Sequence, residues 1–270
     1  MNTNLDSMHR LTPADLADAE RAIEDFAEDE RLSTEESDQR HSTPRRAAPP
    51  KRAKQALTLV SGGAPGADLA WAQAGVLHGL AVDIMSFPGH RASAPPGTAV
   101  RHTPVTAATA GAADAALSQA AKGLMRPAPS TRTLYVHGLL RRNYAIVADA
   151  DALFAVGRLS RGAKSGPPTT SVNVDGGTGW ACQLFADRIP ATPTKLDMFL
   201  YDQGEKAWFK CSMGSERQLR WTAVATAATA ATPAIIPRRR HWRRIAVIGT
   251  RQLTSCGRQA IAGLVASWQQ

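Results

Sequence analysis

Three short segments carry residue types that could hold an anion. They are SGGAPGAD (61–68), DGGTGWA (175–181) and GTR (249–251). Each follows a short apolar run and precedes a stretch with helical spacing. Glycine lets a backbone approach a ligand closely, and a helix start presents unpaired N–H groups at the positive end of its dipole. Gly62, Gly63, Ala64 and Gly66, then Gly176, Gly177 and Gly179, then Gly249 are the candidate contacts, with phosphate the anion they suit. Thr178 and Thr250 could donate hydroxyl hydrogen bonds or cap their helices. Arg142 and Arg251 could each offer a forked guanidinium, the alternative being ordinary surface arginines; Asn143 follows the first of them. Asp68 suits either a ribose hydroxyl or a helix start, where acids are favoured.

Patterns that would name another chemistry are missing. The sequence has no G-x-G-x-x-G, no G-x-x-x-x-G-K-[ST] and no G-x-S-x-G. Cys182, Cys211 and Cys256 are far apart, match no zinc spacing and cannot build a disulfide framework. The expectation is a protein of a reducing compartment, with no metal and no cofactor. His90, in PGHR, has no evident partner, and Trp180 reads as packing, with stacking on a base as the alternative. Asp202, after an apolar run, is the best candidate for a catalytic carboxylate, whereas Asp149 and Asp151 read as solvated turn residues.

The elements that must position these residues can be read from the apolar pattern. LTLV (57–60), a glycine turn, a helix through Leu77 and GLAVDIMSF (79–87) form a βαβ unit. Residues 88–105 read as a Pro-rich loop and 106–125 as an Ala-rich helix. A helix then runs from 138 to 148, followed by a strand at 152–156, a polar insertion at 157–170 and a strand SVNV at 171–174. KLDMFLYD (195–202) and KAWFK (206–210) suggest a hairpin, and 212–236 reads as a low-complexity loop. RIAVIGTR (244–251) and the helix 256–268 complete the pattern. Short, fully apolar strands alternating with helices predict a three-layer α/β fold: a Rossmann-like parallel sheet with helices on both faces. In such sheets the strand carboxyl ends share one edge, so the three glycine turns are expected to converge on one crevice.

These motifs resemble the SLOG superfamily of Rossmann-like domains, which includes the LOG phosphoribohydrolases, the DNA-processing protein DprA and the YpsA-like proteins. The resemblance rests on SGGAPGAD, RNYAIVADADALFAVG (142–157), GGTGWA (176–181) and IGTRQLTSCGRQAI (248–261). It covers most of 56–270 and none of the first 55 residues. It implies a nucleotide-like ligand, with Arg142 facing it. In such domains the G-[ST]-R strand comes first, whereas here it comes last, which implies a circular permutation; the alternative is a second, truncated domain starting at 244. The LOG motif P-G-G-x-G-T-x-x-E is matched by D-G-G-T-G-W-A-C-Q, so the glycines survive but Gln183 stands where the glutamate is expected. A glutamine can neither act as a general base nor stabilise a developing ribosyl cation as a carboxylate does.

Charge divides the chain of 270 residues. Residues 1–40 hold 12 acids against 4 bases, while the whole chain carries +9, which leaves +17 on the rest. Thr12, Pro13 and a thin apolar stripe suggest an acidic helix at 12–30, and 31–55 read as a disordered basic linker. PRRAAPPKRAK (44–54) and PRRRHWRR (237–244) are either solvated charge runs or a nucleic-acid grip, and the first leaves a nuclear address open beside a default cytoplasmic location. No apolar run reaches the ~18 residues of a membrane span. The leading expectation is binding of a nucleotide or nucleotide-derived small molecule. The alternatives are N-glycosidic cleavage of a nucleoside monophosphate, DprA-like single-stranded DNA binding, and, for assembly, an oligomer.

Overall fold

The structure is a computed structural model that describes residues 57–102, 107–129, 134–160, 173–188, 197–214, 218–224, 236 and 241–268. The N-terminal extension, the basic cluster 44–54, most of the polar insertion and Arg238–Arg240 lie outside the described residues.

The strands are β1 Thr58–Ser61, β2 Ala81–Ser86, β3 Ala99–His102, β4 Ala152–Gly157, β5 Leu159–Ser160, β6 Asn173–Val174, β7 Met198–Asp202, β8 Ala207–Met213, β9 Leu219–Ala223 and β10 Arg244–Gly249. The helices are α1 Ala67–Leu77, α2 Ala107–Leu124, α3 Leu134–Val147, α4 Gly176–Asp187 and α5 Ser255–Ser267. Eight strands form one sheet in the order β3-β2-β1-β10-β4-β7-β8-β9. All neighbours from β3 to β7 are parallel, and only β8 and β9 run antiparallel at the far edge.

Side-chain alternation along the central strands makes two cores. Leu59, Phe154, Val156, Ile245, Val247 and Tyr201 point to the side covered by α1 and α5. Val60, Leu153, Ala155, Ala246, Ile248 and Leu200 point to the side covered by α2, α3 and α4. This period of two with both faces buried explains why the strands read as unbroken apolar runs. Phe154 is the hub of the first core, with ring centroids 5.0 Å from Phe199, 5.1 Å from Trp268 and 5.6 Å from Trp242. Trp242, the aromatic of the second basic cluster, is thus a core residue whose Nε1–H donates to Asp197 Oδ2 at 3.0 Å.

Three expectations are corrected and one alternative is set aside. Residues 88–105 contain β3, an edge strand that the prolines around it conceal. Residues 212–236 contain β9, where only Leu219 and Trp221 are buried, so its alternation is too brief to stand out from the Ala/Thr sequence that follows. Of the 171–174 strand, the described residues 173 and 174 form β6, which pairs antiparallel with β5 in a separate two-stranded sheet instead of joining the central parallel sheet, and Asn173 is a polar residue that such a doubly covered sheet would not readily bury. Finally, β10 lies between β1 and β4, with Leu59 opposite Ile245 and Val247 opposite Phe154. It completes the central sheet rather than beginning a second, truncated domain.

The cysteines give a first check on this packing. Burial alone pushes the Cys182 thiol up to about 12, and burial chiefly raises Cys211 as well; Cys256 is partly exposed. Because thiolate is the reactive form, a water-soluble thiol reagent at pH 8 should label Cys256 and spare the other two until denaturant is added. Peptide mass spectrometry reads the result, and labelling of Cys182 in the native protein would contradict the core described above.

Candidate functional site

The three glycine segments do meet. A cavity of about 850 Å³ at the carboxyl edge of the sheet is lined by Ala64 and Asp68, by Gly176, Gly177 and Thr178, and by Gly249, Thr250 and Arg251. That volume falls within the roughly 300–1,000 Å³ of small-molecule sites. Arg142 and Asn143 line it as well. Gly62, Gly63, Gly66 and Gly179 do not, and their role is packing. A Cβ on Gly62 would fall 2.6 Å from the Arg142 guanidinium carbon, and one on Gly179 would fall 2.1 Å from the Val174 carbonyl. Gly63 and Gly66 have positive φ, 67° and 95°. At Gly176, whose φ is also positive at 59°, a Cβ would meet nothing within 4 Å, and at Gly177 it would meet only Asn143 Nδ2, at 3.8 Å. Space is therefore kept open at the start of α4.

That helix start is uncapped. Asp175 occupies the N-cap position, yet its side chain makes no capping hydrogen bond. By contrast, Thr254 caps α5, accepting from the Gly257 N–H at 3.1 Å. The second glycine segment is thus the first turn of a helix rather than a loop before one. The N–H groups of that turn are the orphan donors every helix start leaves to water, side chains or a ligand.

Arg142 and Asn143 brace the loops. Arg142 is 5% exposed, and its Nη1 donates to the Gly62 carbonyl at 2.9 Å and toward His90 Nε2 at 3.3 Å. Its Nη2 donates to Asn143 Oδ1 at 3.4 Å and lies 3.7 Å from Asp68 Oδ2. Asn143 in turn donates from Nδ2 to the Gly177 carbonyl at 3.1 Å. The Arg-Asn pair therefore ties the first glycine segment to the second. Among the described residues, Arg142 Nε–H alone of this guanidinium's donors finds no acceptor.

Asp68 completes the framework. At 1% exposure it accepts from the Gly249 N–H at 2.9 Å and the Ala64 N–H at 3.5 Å, linking the first segment to the third. Burial raises its pKa from the ordinary carboxylate range, with Arg142 and those N–H groups pulling the other way. Burial likewise lowers the Arg142 pKa, which Asp68 partly restores. His90 does have partners. A guanidinium only donates, so His90 Nε2 accepts and its proton sits on Nδ1, 3.1 Å from Ser86 Oγ. The Ser86 hydroxyl then donates to the His90 carbonyl at 3.1 Å. Its ring stacks on Phe87 with centroids 5.1 Å apart.

Two other sequence candidates lie elsewhere. Asp202 is 4% exposed and accepts from the N–H groups of Leu159, Gly204 and Glu205 at 2.6, 2.7 and 2.8 Å. It anchors β5 and the turn after β7 and does not line the cavity. Gln183 donates to Asp187 Oδ1 at 2.9 Å and packs against Gly123 of α2, off the cavity wall. Lining residues that sequence reasoning missed are Arg126, Arg158 and Gln203. Arg126 donates to the Val174 and Gly176 carbonyls at 3.0 and 3.2 Å. Gln203 holds the third segment, donating to the Gln252 carbonyl at 3.1 Å and accepting from the Thr254 N–H at 2.7 Å. None of the three lies in a glycine motif, so no local signal marked them. Four arginines against two aspartates line the cavity, a balance that suits an anion.

No protein-family profile and no curated protein matches the chain. A crystal structure from Syntrophus aciditrophicus SB named "Putative molybdenum carrier protein" is similar over 79% of this chain and 95% of its own, at 14% identity and a TM-score of 0.40. The fold assignment rests on the strand order itself: a doubly wound, Rossmann-like α/β sheet with its cavity at the strand carboxyl ends. Among the described residues no helix is long and apolar enough to cross a membrane, and no cluster of three or more His, Cys, Asp or Glu is placed to hold a metal.

Proposed function

We propose that residues 56–270 form one SLOG-type domain that binds a nucleotide or nucleotide-derived small molecule through its phosphate. The observation that carries this reading is the meeting of three glycine segments around the uncapped start of α4 in one cationic cavity. The phosphate sits at that helix start, where Gly176 and Gly177 leave room, with the exposed Arg251 on the opposite rim. A circular permutation accounts for the chain order. Taking β10 before β1 makes the parallel strands run β10, β1, β2, β3 to one side and then β4, β7 to the other, the doubly wound pattern with β3 added at its edge. An enzyme cleaving an N-glycosidic bond here would need a carboxylate other than Asp202, whose oxygens are taken by backbone N–H groups. A DNA-binding reading gains little from Trp242, which is buried, or from Arg244, paired with Asp83 at the opposite edge of the sheet.

Titration calorimetry against a panel of nucleoside mono-, di- and triphosphates, with phosphate and molybdate as bare oxyanions, tests the proposal. Gly177→Asp should keep its melting temperature, since the new side chain meets open space and an acid suits a helix start. Its carboxylate takes the place of the phosphate, so nucleotide affinity should fall at least about tenfold. Unchanged affinity in this variant, or no nucleotide bound at millimolar concentration by the parent protein, would refute the proposal.

A further inference from the structure

We infer that Gln203 is a positioning residue, which holds the third glycine segment as a rigid arch and thereby fixes Arg251 at the cavity rim. The inference rests on the nucleotide-binding reading above and deepens it by naming what sets the anion-facing arginine. Gln203 follows β7, is 7% exposed and lines the cavity. Its N–H donates to the Gly157 carbonyl at the end of β4, at 2.9 Å. Its side chain reaches the far half of the third segment, where Nε2 donates to the Gln252 carbonyl and Oε1 accepts from the Thr254 N–H. A backbone N–H only donates and a carbonyl only accepts, so the amide has one orientation here. Glutamate would set a carboxylate against the Gln252 carbonyl, with nothing to donate to it.

The near half of the segment is pinned from the other side. The Gly249 N–H donates to Asp68 Oδ1 at 2.9 Å, and the Thr250 N–H donates to the Val156 carbonyl at 2.9 Å. The Thr250 carbonyl accepts from the Ala67 N–H at 3.0 Å. Arg251 therefore stands between two clamps, β4 and α1 on one side and Gln203 on the other. The second clamp continues into α5. The Thr254 hydroxyl donates to Gln203 Oε1 at 2.9 Å while accepting from the Gly257 N–H, so the helix cap and the arch share one acceptor. Gly257 makes room for that acceptor: a Cβ there would fall 2.8 Å from Gln203 Oε1 and 2.8 Å from Leu253 Cδ1.

Electrostatics give the clamp its purpose. Arg251 is exposed and lines the cavity, and its charge acts on both Asp68 and Arg142. Asp68 attracts it, but that carboxylate is already sealed in by Arg142 and two backbone N–H groups. Arg142 repels it. Two guanidinium groups are thus kept near one carboxylate, which leaves a positive excess on this wall for an anionic guest to offset. An arginine on a loose loop would relax into water and would have to be ordered again on binding. A pre-set arch avoids that loss of affinity.

A double-mutant cycle on the full chain tests this by calorimetry with adenosine 5′-monophosphate, or with the panel nucleotide that the parent protein prefers to it. Arg251→Ala should weaken binding at least about tenfold, the loss expected of a charged hydrogen bond. Gln203→Met keeps the volume of the side chain but makes neither hydrogen bond. It should weaken binding about fivefold in the parent background and less than about twofold in the Arg251→Ala background, because two residues acting as one unit are not additive. Gln252 and Thr254 are exposed, so water can take over their hydrogen bonds and the variant should fold. Gly257→Ala displaces Gln203 by another route and should repeat the pattern, even though alanine favours a helix. Should Gln203→Met fail to fold, the cycle with Gly257→Ala decides. Equal losses in both backgrounds would mean general support of the fold and would overturn the inference. Unchanged affinity in Gln203→Met or in Arg251→Ala would also overturn it, with the nucleotide proposal left intact. If no nucleotide of the panel binds the parent protein, both readings fall.

Discussion

Arg142→Ala is expected to destabilise the protein by about 3–5 kcal/mol, the usual cost of breaking a buried ion pair from one side. The substitution strips Asp68 of its buried cationic neighbour, leaving a carboxylate at 1% exposure beside two backbone N–H groups. It also removes the hydrogen bonds that Arg142 donates to the Gly62 carbonyl and to Asn143 Oδ1, so the first and second glycine segments lose their brace. Lysine should not rescue it, because one ammonium cannot reach Gly62, His90 and Asn143 at once. The double variant Arg142→Met, Asp68→Asn should recover part of the loss, since neither partner then buries a charge. Urea unfolding of the single and double variants measures this directly. A single-variant loss below about 1 kcal/mol would mean the pair is solvated and the brace illusory.

This result bears on what the sequence could reveal. Strand and helix periods were legible from residue 57 onward because the central strands are buried on both faces, which leaves an unbroken apolar signature. The convergence of the glycine segments was legible for the same reason, since a parallel sheet puts all its carboxyl ends on one edge. Arg142 is legible from its motif and does line the cavity, but a sequence does not say which groups a guanidinium bonds. Its Nη groups belong to Gly62, His90, Asn143 and Asp68, contacts spanning up to 80 positions. Asp202 misled in the same manner: its location after a strand was read correctly, but its backbone partners lie in the neighbouring turn and in β5. Asp175 was seen only as a departure from a motif, whereas its orientation depends on Ser160, 15 positions earlier. Site residues set by backbone local to one turn can be read from a sequence. Those set by long-range hydrogen bonds cannot.

Gly66→Ala should destabilise the protein on two counts, backbone conformation and space. Gly66 has φ 95° and ψ −126°, a region that L-residues with a Cβ essentially do not enter. The new methyl would also lie 2.3 Å from the Arg251 carbonyl oxygen and 2.6 Å from that of Thr250. Both obstacles are backbone, so no rotamer change relieves them. Relief requires α1 to part from the third glycine segment, which breaks the hydrogen bond from the Ala67 N–H to the Thr250 carbonyl at 3.0 Å. Conformational strain and overpacking each contribute roughly 1–3 kcal/mol, so a total of about 3–5 kcal/mol is expected. Two other glycines separate the contributions. Gly79→Ala carries the positive φ, 67°, with nothing within 4 Å, and should cost only the roughly 1–2 kcal/mol of a left-handed alanine. Gly111→Ala, in α2 with nothing within 4 Å, should stabilise by about 1 kcal/mol through helix propensity. The order Gly111→Ala above the parent protein, then Gly79→Ala, then Gly66→Ala, read from urea midpoints, is the expected outcome. If Gly66→Ala were no worse than Gly79→Ala, the first and third glycine segments could not be in contact, and the cavity they enclose would lose one of its walls.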